Sequence, residues 1–242
     1  MLVYGHRGAG GEAPENTIAG CRHAIDRGTR YLELDMRLSN DDKIVMIHDE
    51  SVDRTADHKG KVNAFTVAEL RDMDARQSGA PWPDEQDTGI VTLAEMLDAT
   101  PEIKGYQLEV KNGPTKQLER IAELLVEQFP SEASVEKVVV TSSSLTLLQR
   151  LMTLAPYIPR GYISITPNPF PVVDRFKCSL LAMNWSVCNL INLGHARRKG
   201  LHTSVWTVND ASVIKNFHRS KVDSVITDFP SMALPLVASL ER

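Results

Sequence analysis

The chain has 242 residues, of which 42% are hydrophobic and 24% charged, and this balance excludes an intrinsically disordered protein. Its 27 basic and 31 acidic side chains give a formal net charge of −4, so no basic field indicates nucleic acid or anionic lipid as a partner. No run of about eighteen apolar residues occurs, which excludes a membrane-spanning helix. Three widely spaced cysteines and no visible secretory signal lead us to expect a cytoplasmic protein.

Short runs of apolar and β-branched residues alternate with segments of helical periodicity along the chain. The runs predict strands at residues 2–5, 31–37, 44–48, 106–111, 137–141, 160–165, 180–185, 203–208 and 224–227. The segments between them predict helices at residues 17–27, 92–99, 115–129, 145–154, 172–176, 189–199 and 211–219. Thr17, Thr92 and Asp210 fit N-cap positions at three of these helices. The alternation predicts βαβ units that form a parallel sheet.

A parallel sheet covered by helices is either an open doubly wound sheet or a closed barrel. Eight strands remain when residues 44–48 are set aside, and the chain is close to the ~250 residues usual for a (β/α)8 barrel. An open dinucleotide-binding sheet would carry a GxGxxG turn after its first strand, which residues 8–13 do not supply. The sequence therefore predicts a (β/α)8 TIM barrel, with residues 1–242 forming a single domain.

The interval between the second and third barrel strands is too long for one crossover. It holds the extra strand at 44–48, a helix near 67–72 and a Pro/Gly/Asp-rich stretch at 78–89 that we interpret as a surface loop. We expect residues 38–90 to form a small insertion on the barrel face where the strands' carboxyl ends lie. A separate domain is not expected, because the segment has few apolar residues from which to build its own core.

Charged residues lie near the ends of the first three barrel strands, where a TIM barrel builds its active site. In the second strand, Glu33 and Asp35 fall on one face because strand side chains alternate. Glu109 repeats the pattern in the third main strand. An unpaired buried charge costs several kcal/mol, so a chance convergence of such residues on core strands is improbable. An all-oxygen acidic cluster of this kind favours Mg²⁺ or Ca²⁺ over zinc.

Two histidines and two cations accompany the acidic cluster. His6 and Arg7 follow the first strand, Lys111 follows Glu109, and His48 lies in the inserted segment. His48 considered alone is more often a structural histidine, but two imidazoles beside a metal cluster can accept and donate a proton near neutral pH. Arg7 and Lys111 are donors suited to phosphate. Together these residue types predict a phosphoryl-transfer site.

The motifs that carry this chemistry resemble those of a known family. They are residues 6–8 (HRG), 14–17 (PENT), 33–35 (ELD), 48–49 (HD), 54–55 (RT), 109–111 (EVK), 205–209 (VWTVN) and 225–230 (VITDFP). In this order along the chain they closely resemble the glycerophosphodiester phosphodiesterases, and the small bacterial cytoplasmic members more than the membrane-attached ones.

The resemblance implies a (β/α)8 barrel that hydrolyses glycerophosphodiesters, such as glycerophosphocholine or glycerophosphoethanolamine, to an alcohol and sn-glycerol 3-phosphate. It implies a divalent cation, Mg²⁺ or Ca²⁺, and a substrate hydroxyl that attacks phosphorus to give a cyclic phosphate, which water then opens. The residues implied by position are Glu33, Asp35 and Glu109 as metal ligands, His6 and His48 as general base and acid, and Arg7, Lys111 and Trp206 as substrate contacts.

Two alternatives stay open at this point. The first is a phospholipase D-like or cyclising activity on lysophospholipids, which an apolar aromatic rim would favour, although aromatic residues make up only 6% of the chain. The second is a non-catalytic barrel that binds phosphate esters. We expect a small-molecule substrate and neither nucleic acid nor stable membrane association. Asp228 is either a partner of the site or, as we favour, an N-cap for a helix at 231–240.

Overall fold

Nine strands form one sheet in the computed structural model, which describes residues 1–77, 80–84 and 86–242. In chain order they are β1 (Leu2–His6), β2 (Tyr31–Leu38), β3 (Ile44–Met46), β4 (Gly105–Val110), β5 (Val138–Ser142), β6 (Arg160–Ser164), β7 (Leu180–Asn184), β8 (His202–Trp206) and β9 (Ser224–Thr227). All except β3 pair in parallel, and β1 pairs with both β2 and β9. The eight parallel strands therefore close into a barrel, which confirms the predicted (β/α)8 fold.

Helices follow the barrel strands and cover their outer face. They are α1 (Ile18–Asp26), α2 (Val67–Arg71), α3 (Leu93–Ala99), α4 (Thr115–Gln128), α5 (Leu145–Leu154), α6 (Phe170–Phe176), α7 (Leu190–Arg198), α8 (Ala211–Arg219) and α9 (Pro230–Leu240). The three expected N-caps are confirmed, because the side chains of Thr17, Thr92 and Asp210 each accept a backbone N–H bond from the first turn of α1, α3 and α8. Among the described residues, no helix is long and apolar enough to cross a membrane.

Side-chain alternation on β2 divides the apolar core from the barrel interior. Leu32, Leu34 and Met36 point outward and are fully buried beneath the helices. Glu33 and Asp35 point inward and are also buried, with exposed fractions of 4% and 1%. Both faces of the strand are therefore covered, as expected for a parallel barrel. Side chains on β2 alternate between its two faces, and the hydrophobic residues occupy the outer face. The carboxylates therefore point into the barrel.

The segment between β2 and β4 adds a small layer to the barrel. Strand β3 pairs antiparallel with the end of β2, and an isolated bridge joins Val45 to Thr92 at the start of α3. The segment has an apolar cluster of its own, so the expectation that it holds too few apolar residues for a core is wrong. The cluster consists of Val45, Ile47, Val52, Ala56, Val62, Leu70, Met73, Ala75 and Ile90. Of the predicted surface loop, Ser78, Gly79 and Glu85 lie outside the described residues.

The turn after β1 folds back tightly against its own strand. A Cβ on Gly5 would lie 2.0 Å from the Gly8 carbonyl oxygen, a separation that the turn cannot accept. The same turn contains Arg7 with φ +53° and Gly8 with φ +88°, both in the left-handed region. The close approach fixes the backbone from which His6 and Arg7 project.

We expect Gly5→Ala to lower the free energy of unfolding by about 1–3 kcal/mol, the usual cost of forcing an extra methyl group into a packed site. Urea denaturation followed by circular dichroism measures the change. The matched control is Gly194→Ala in α7, where the nearest atom to an added Cβ is 3.7 Å away and helix propensity favours alanine. Equal denaturation midpoints for Gly5→Ala and the parent chain would contradict the argument.

Candidate active site

A cavity with about 490 Å³ of empty space opens at the carboxyl ends of the barrel strands. Seven of the eight residues predicted for the site line it, and they are His6, Arg7, Glu33, His48, Glu109, Lys111 and Trp206. The eighth, Asp35, lies within reach of the same group, because one carboxylate oxygen from each of Glu33, Asp35 and Glu109 falls within 4.8 Å of the others. The structure therefore brings all eight predicted residues together.

Strand register explains why the three carboxylates meet. Glu33 and Asp35 are two residues apart on β2 and share its inner face. Asp35 is paired with Glu109 of β4, and Glu33 is paired with His6 of β1. The parallel ladder thus places one acidic residue from β4 and one histidine from β1 directly beside the acidic pair of β2.

Two cations and one amide surround Asp35. Arg7 Nε lies 3.2 Å from Asp35 Oδ2, and Lys111 Nζ lies 3.5 Å from Oδ1 and 2.6 Å from Glu109 Oε1. The Asn16 side chain donates to Asp35 Oδ2 at 2.9 Å and accepts from the Asp35 backbone N–H at 3.0 Å. Asn16 therefore supports the site by holding both the side chain and the backbone of Asp35. Its contact depends on a turn that folds over β2, which the local sequence does not reveal.

The acidic cluster carries more negative charge than its protein neighbours neutralise. Burial and the neighbouring Asp35 charge raise the pKa of Glu33 to about 8, and the same two causes raise the pKa of Glu109. Burial acts to raise the pKa of Asp35 as well, but Lys111 and Arg7 outweigh it and lower that pKa. Asp35 is thus the carboxylate whose ionisation is favoured, while burial and the charge of Asp35 both oppose the ionisation of Glu33 and Glu109.

The donor set fits a hard divalent cation. Asp35 Oδ1 is buried and accepts no hydrogen bond, although Lys111 Nζ lies 3.5 Å away, so this charged oxygen can still coordinate a cation inside an all-oxygen cluster. With all three carboxylates ionised, Arg7 and Lys111 leave one negative charge in the group. A dication would reverse this to one positive charge, which matches the single negative charge of a phosphodiester. Carboxylate oxygens are the ligands preferred by Mg²⁺ and Ca²⁺.

A carboxylate fixes the orientation of His6. His6 Nδ1 is 2.5 Å from Asp228 Oδ1, and the Asn209 amide donates to Asp228 Oδ2 at 2.5 Å. Burial acts to lower the pKa of His6, but the Asp228 hydrogen bond and the Glu33 charge outweigh it and raise that pKa. His6 Nε2 is left facing the acidic cluster, 3.7 Å from Glu33 Oε2. One ring nitrogen is therefore held, and the other is free to exchange a proton.

The favoured interpretation of Asp228 as a helix cap is wrong. Phe229 occupies the N-cap position of α9, and the Ser231 N–H in the first turn donates to Glu12 Oε1 at 3.0 Å. Asp228 instead contacts His6, because β9 closes the barrel against β1 and brings residues 222 positions apart side by side. The less favoured alternative, in which Asp228 is a partner of the site, agrees with this contact, whereas the supporting Asn209 was not identified from the sequence. The available signal was a polar residue directly after each of the last two barrel strands.

His48 is held in a similar way by residues of the inserted segment. Its Nδ1 is 2.6 Å from Asp49 Oδ1, and its backbone carbonyl accepts a hydrogen bond from Arg37 Nε at 2.7 Å. Arg54 in turn donates to Asp49, with Nε 2.7 Å from Oδ2. Burial lowers the pKa of His48, which favours the neutral form of its ring. The site thus contains two carboxylate-bound imidazoles, His6 with a raised pKa and His48 with a lowered one.

The opposite wall of the cavity is apolar. It consists of Ile163 on β6, Ala182 on β7, Ile226 on β9 and Trp206 at the end of β8. The Trp206 Nε1 atom is buried and donates no hydrogen bond. The cavity therefore has a charged half built from β1, β2 and β4 and an apolar half built from β6 to β9. A ligand with one anionic and one less polar part matches this division.

Comparison with known proteins agrees with this geometry. A Bacillus subtilis (strain 168) protein provisionally named glycerophosphodiester phosphodiesterase YhdW is 33% identical over 247 residues, which cover 97% of each chain. A Caldanaerobacter subterraneus subsp. tengcongensis protein named glycerophosphodiester phosphodiesterase is 30% identical, with 98% of this chain and 97% of that chain covered. A solved Oleispira antarctica phosphodiesterase, in complex with the product sn-glycerol-3-phosphate, has the same fold with a TM-score of 0.87 at 24% identity, covering 98% and 97% of the two chains.

The family model for glycerophosphoryl diester phosphodiesterases matches residues 6–232, a span that includes every residue of the site described above. This match covers nearly the whole chain and agrees with the full-length relatives. The chain therefore belongs to the glycerophosphoryl diester phosphodiesterase family and is a phosphoric diester hydrolase.

Proposed function

We propose that the enzyme hydrolyses glycerophosphodiesters such as glycerophosphocholine and glycerophosphoethanolamine to an alcohol and sn-glycerol 3-phosphate, with a Mg²⁺ or Ca²⁺ ion. The observation that carries the proposal is a single cavity in which three carboxylates, two cations and two carboxylate-bound imidazoles converge. The product named for the Oleispira structure is the one expected here. A cytoplasmic location, the lack of nucleic-acid or stable membrane partners, and a single domain with an insertion at 38–90 belong to the same proposal.

In this proposal the charged half of the cavity binds the phosphodiester group. Glu33, Asp35 and Glu109 would hold the dication, which supplies positive charge to the phosphoryl oxygens when bound. Arg7 and Lys111 would contact the same oxygens through their remaining N–H groups, as guanidinium and ammonium groups do with phosphate. Trp206, on the apolar wall, would contact the carbon skeleton of the glycerol.

The two imidazoles divide the proton transfers in the proposed mechanism. A hydroxyl of the substrate's glycerol attacks phosphorus as Nε2 of neutral His6 accepts its proton, and the bond from phosphorus to the alcohol breaks as the alcohol takes a proton from Nε2 of doubly protonated His48. The resulting cyclic phosphate is opened by water, with the two rings exchanging roles. Asp228 and Asp49 keep each Nδ1 occupied, so that Nε2 is the nitrogen available to the substrate in both steps.

Replacing His6 or His48 by Ala should lower kcat for glycerophosphocholine by roughly 10²- to 10⁴-fold, since each ring supplies one proton transfer. Enzymatic detection of released sn-glycerol 3-phosphate measures the rate. His58→Ala is a matched control, because His58 lies in the same inserted segment, is half exposed and contacts Asp57 instead of the cavity.

The leaving group separates the roles of the two histidines. On the p-nitrophenyl ester of glycerol phosphate, His48→Ala should lose much less activity, because p-nitrophenolate departs without being protonated. His6→Ala should be impaired on both substrates, since attack still requires a base. Near-normal kcat in both alanine variants would contradict the mechanism, and binding of glycerophosphocholine by the parent chain without turnover would favour the non-catalytic alternative.

Replacing Glu109 by Gln should weaken Mg²⁺ or Ca²⁺ binding, because the substitution removes one of three carboxylate ligands while keeping the side chain's shape. Titration calorimetry on metal-stripped protein measures the affinity directly, and EDTA should abolish turnover by the parent chain. The exposed Glu102, which pairs with Arg22, provides the control variant Glu102→Gln. Identical metal titrations for Glu109→Gln and the control would reject Glu109 as a ligand.

One observation favours a second candidate function, phospholipase D-like hydrolysis of lysophospholipids. Ile165, Trp185, Leu190 and Ile191, here called the apolar rim, have exposed fractions of 70%, 52%, 71% and 81%. They lie in the loops after β6 and β7 and in the first turn of α7. No charged residue occurs in residues 161–173 or 178–194. Exposed apolar residues in such a group are typical of a surface that binds an apolar partner.

The apolar rim continues the apolar wall of the cavity. The Trp185 backbone N–H donates to the Trp206 carbonyl at 2.9 Å, which joins the rim to a residue that lines the cavity. The Asn192 amide donates to the carbonyls of Pro167 and Val187, so the two loops and the start of α7 are held together. An acyl chain attached to a bound phosphodiester could therefore leave the cavity along this surface.

Replacing Trp185 and Ile191 together by Ser should lower kcat/KM for lysophosphatidylcholine roughly tenfold, the effect of losing ~55 Å² of apolar contact. The value for glycerophosphocholine should stay unchanged, because this substrate has no acyl chain. Leu154→Ser is the control, since Leu154 is a partly exposed apolar residue at the opposite end of the barrel. Failure of the parent chain to hydrolyse lysophosphatidylcholine would remove this candidate and leave the first proposal intact.

A further inference from the structure

An unbroken series of ion pairs connects the acidic cluster to His48. Asp35 contacts Arg7, and Arg7 Nη1 donates to Glu15 Oε1 at 3.0 Å. The series continues from Glu15 through Arg54 to Asp49, which contacts the His48 ring. The distances for Arg54 are 2.8 Å from Nη1 to Glu15 Oε2, 2.8 Å from Nη2 to Glu15 Oε1, 2.7 Å from Nε to Asp49 Oδ2 and 3.1 Å from Nη2 to Asp49 Oδ1.

His48 needs such a connection because of where it originates. It follows β3, a strand of only three residues, in a segment whose apolar cluster is separate from those between the barrel and its helices. Arg37 holds the His48 carbonyl, but that bond fixes the backbone and leaves the ring orientation undetermined. The ring is held by Asp49, whose side chain is 28% exposed and would otherwise have freedom to rotate.

Arginine is the residue whose shape suits this position. Its planar guanidinium presents two edges, and here one edge binds both oxygens of Glu15 while the other binds both oxygens of Asp49. Glu15 is only 8% exposed and also bonds to Arg7, so it is the fixed end of the connection. A lysine at position 54 could neutralise both carboxylates but could not hold both in one plane.

We propose that Arg54 is a positioning residue that sets the orientation of the His48 ring by locking Asp49 to Glu15 on the barrel. The proposal rests on the acid/base function proposed for His48. Arg54 itself remains 44% exposed and does not line the cavity, so it acts through Asp49 and not on the substrate. Through this residue the inserted segment is joined to the barrel next to His48, where both contribute to the proposed chemistry.

Kinetics on Arg54→Met should give a kcat for glycerophosphocholine lowered roughly 10- to 100-fold with KM nearly unchanged, the pattern of a misplaced catalytic group. Arg54→Lys should recover only a small part of the loss. The control is Arg76→Met, which removes a two-bonded arginine–carboxylate contact, Arg76 to Asp74, within the same segment and should leave kcat unchanged. Equal kcat for Arg54→Met and Arg76→Met would overturn the proposal.

Two further measurements separate positioning from a general effect on stability. In a His48→Ala background, Arg54→Met should cause no additional fall in kcat, because the group that it positions is already absent. On the p-nitrophenyl ester, Arg54→Met should be nearly as active as the parent chain, as His48→Ala is expected to be. A further fall in kcat when Arg54→Met is added to His48→Ala would overturn the positioning role. So would a kcat of Arg54→Met on the p-nitrophenyl ester far below that of the parent chain.

A spectroscopic readout keeps the test independent of the proposed function. Long-range ¹⁵N–¹H correlation spectra of the Mg²⁺-supplied protein should show the His48 proton on Nδ1, where Asp49 accepts it. In Arg54→Met the signal should shift toward the Nε2–H tautomer, while Arg76→Met should match the parent chain. An unchanged His48 tautomer in Arg54→Met would refute the proposal. A parent chain without diesterase activity would instead refute the proposed function and leave this measurement decisive for Arg54.

Discussion

Electrostatic repulsion among three buried carboxylates is the constraint around which the site is built. Glu33, Asp35 and Glu109 are brought within a few ångströms by strand register, and burial prevents water from screening them. Arg7 and Lys111 at the mouth reduce this repulsion, but they leave one negative charge in the group when all three carboxylates are ionised. One bound dication and one phosphodiester would bring the net charge to zero. This repulsion has a free-energy cost in the protein alone. It would also favour binding of a dication first and of an anionic phosphodiester after it.

The histidines illustrate a second consequence of the barrel's geometry. Each has one ring nitrogen bound to a carboxylate, yet the two carboxylates come from unrelated places, Asp228 after the last strand and Asp49 next to His48 itself. Against its burial, the Asp228 hydrogen bond and the Glu33 charge raise the pKa of His6, whereas burial together with the charges of Arg7 and Lys111 lowers the pKa of His48. These opposite shifts agree with the second step of the proposed mechanism, in which His48 accepts a proton from water and His6 donates one. The first step requires the reverse protonation, with His6 neutral and His48 protonated on both nitrogens.

The fold and the charged half of the site could be predicted because they depend on patterns within short stretches of the sequence. Side-chain alternation on β2 placed Glu33 and Asp35 on a common face. N-cap residues such as Thr92 indicated where helices begin. The apolar core of the inserted segment could not be predicted, because most of its residues lie in loops and turns without periodicity. The contact of Asp228 with His6 depends on barrel closure, which joins chain positions that no local pattern relates.

In the proposed function, the two halves of the cavity have different tasks. The charged half carries out the hydrolysis, and the apolar half contacts the rest of the substrate. The charged half comes from β1, β2, β4 and the segment after β3, while the apolar wall comes from β6 to β9 and continues to the exposed rim. In the proposed function, changes in the loops after β6 and β7 would alter which alcohol is accepted and leave the carboxylates and imidazoles in place. The charged half has no such freedom to change. His48 is connected through Asp49, Arg54 and Glu15 to Arg7, which also contacts Asp35. A substitution anywhere along that series therefore reaches the reacting groups, and the inserted segment has far less freedom to vary than its surface position suggests.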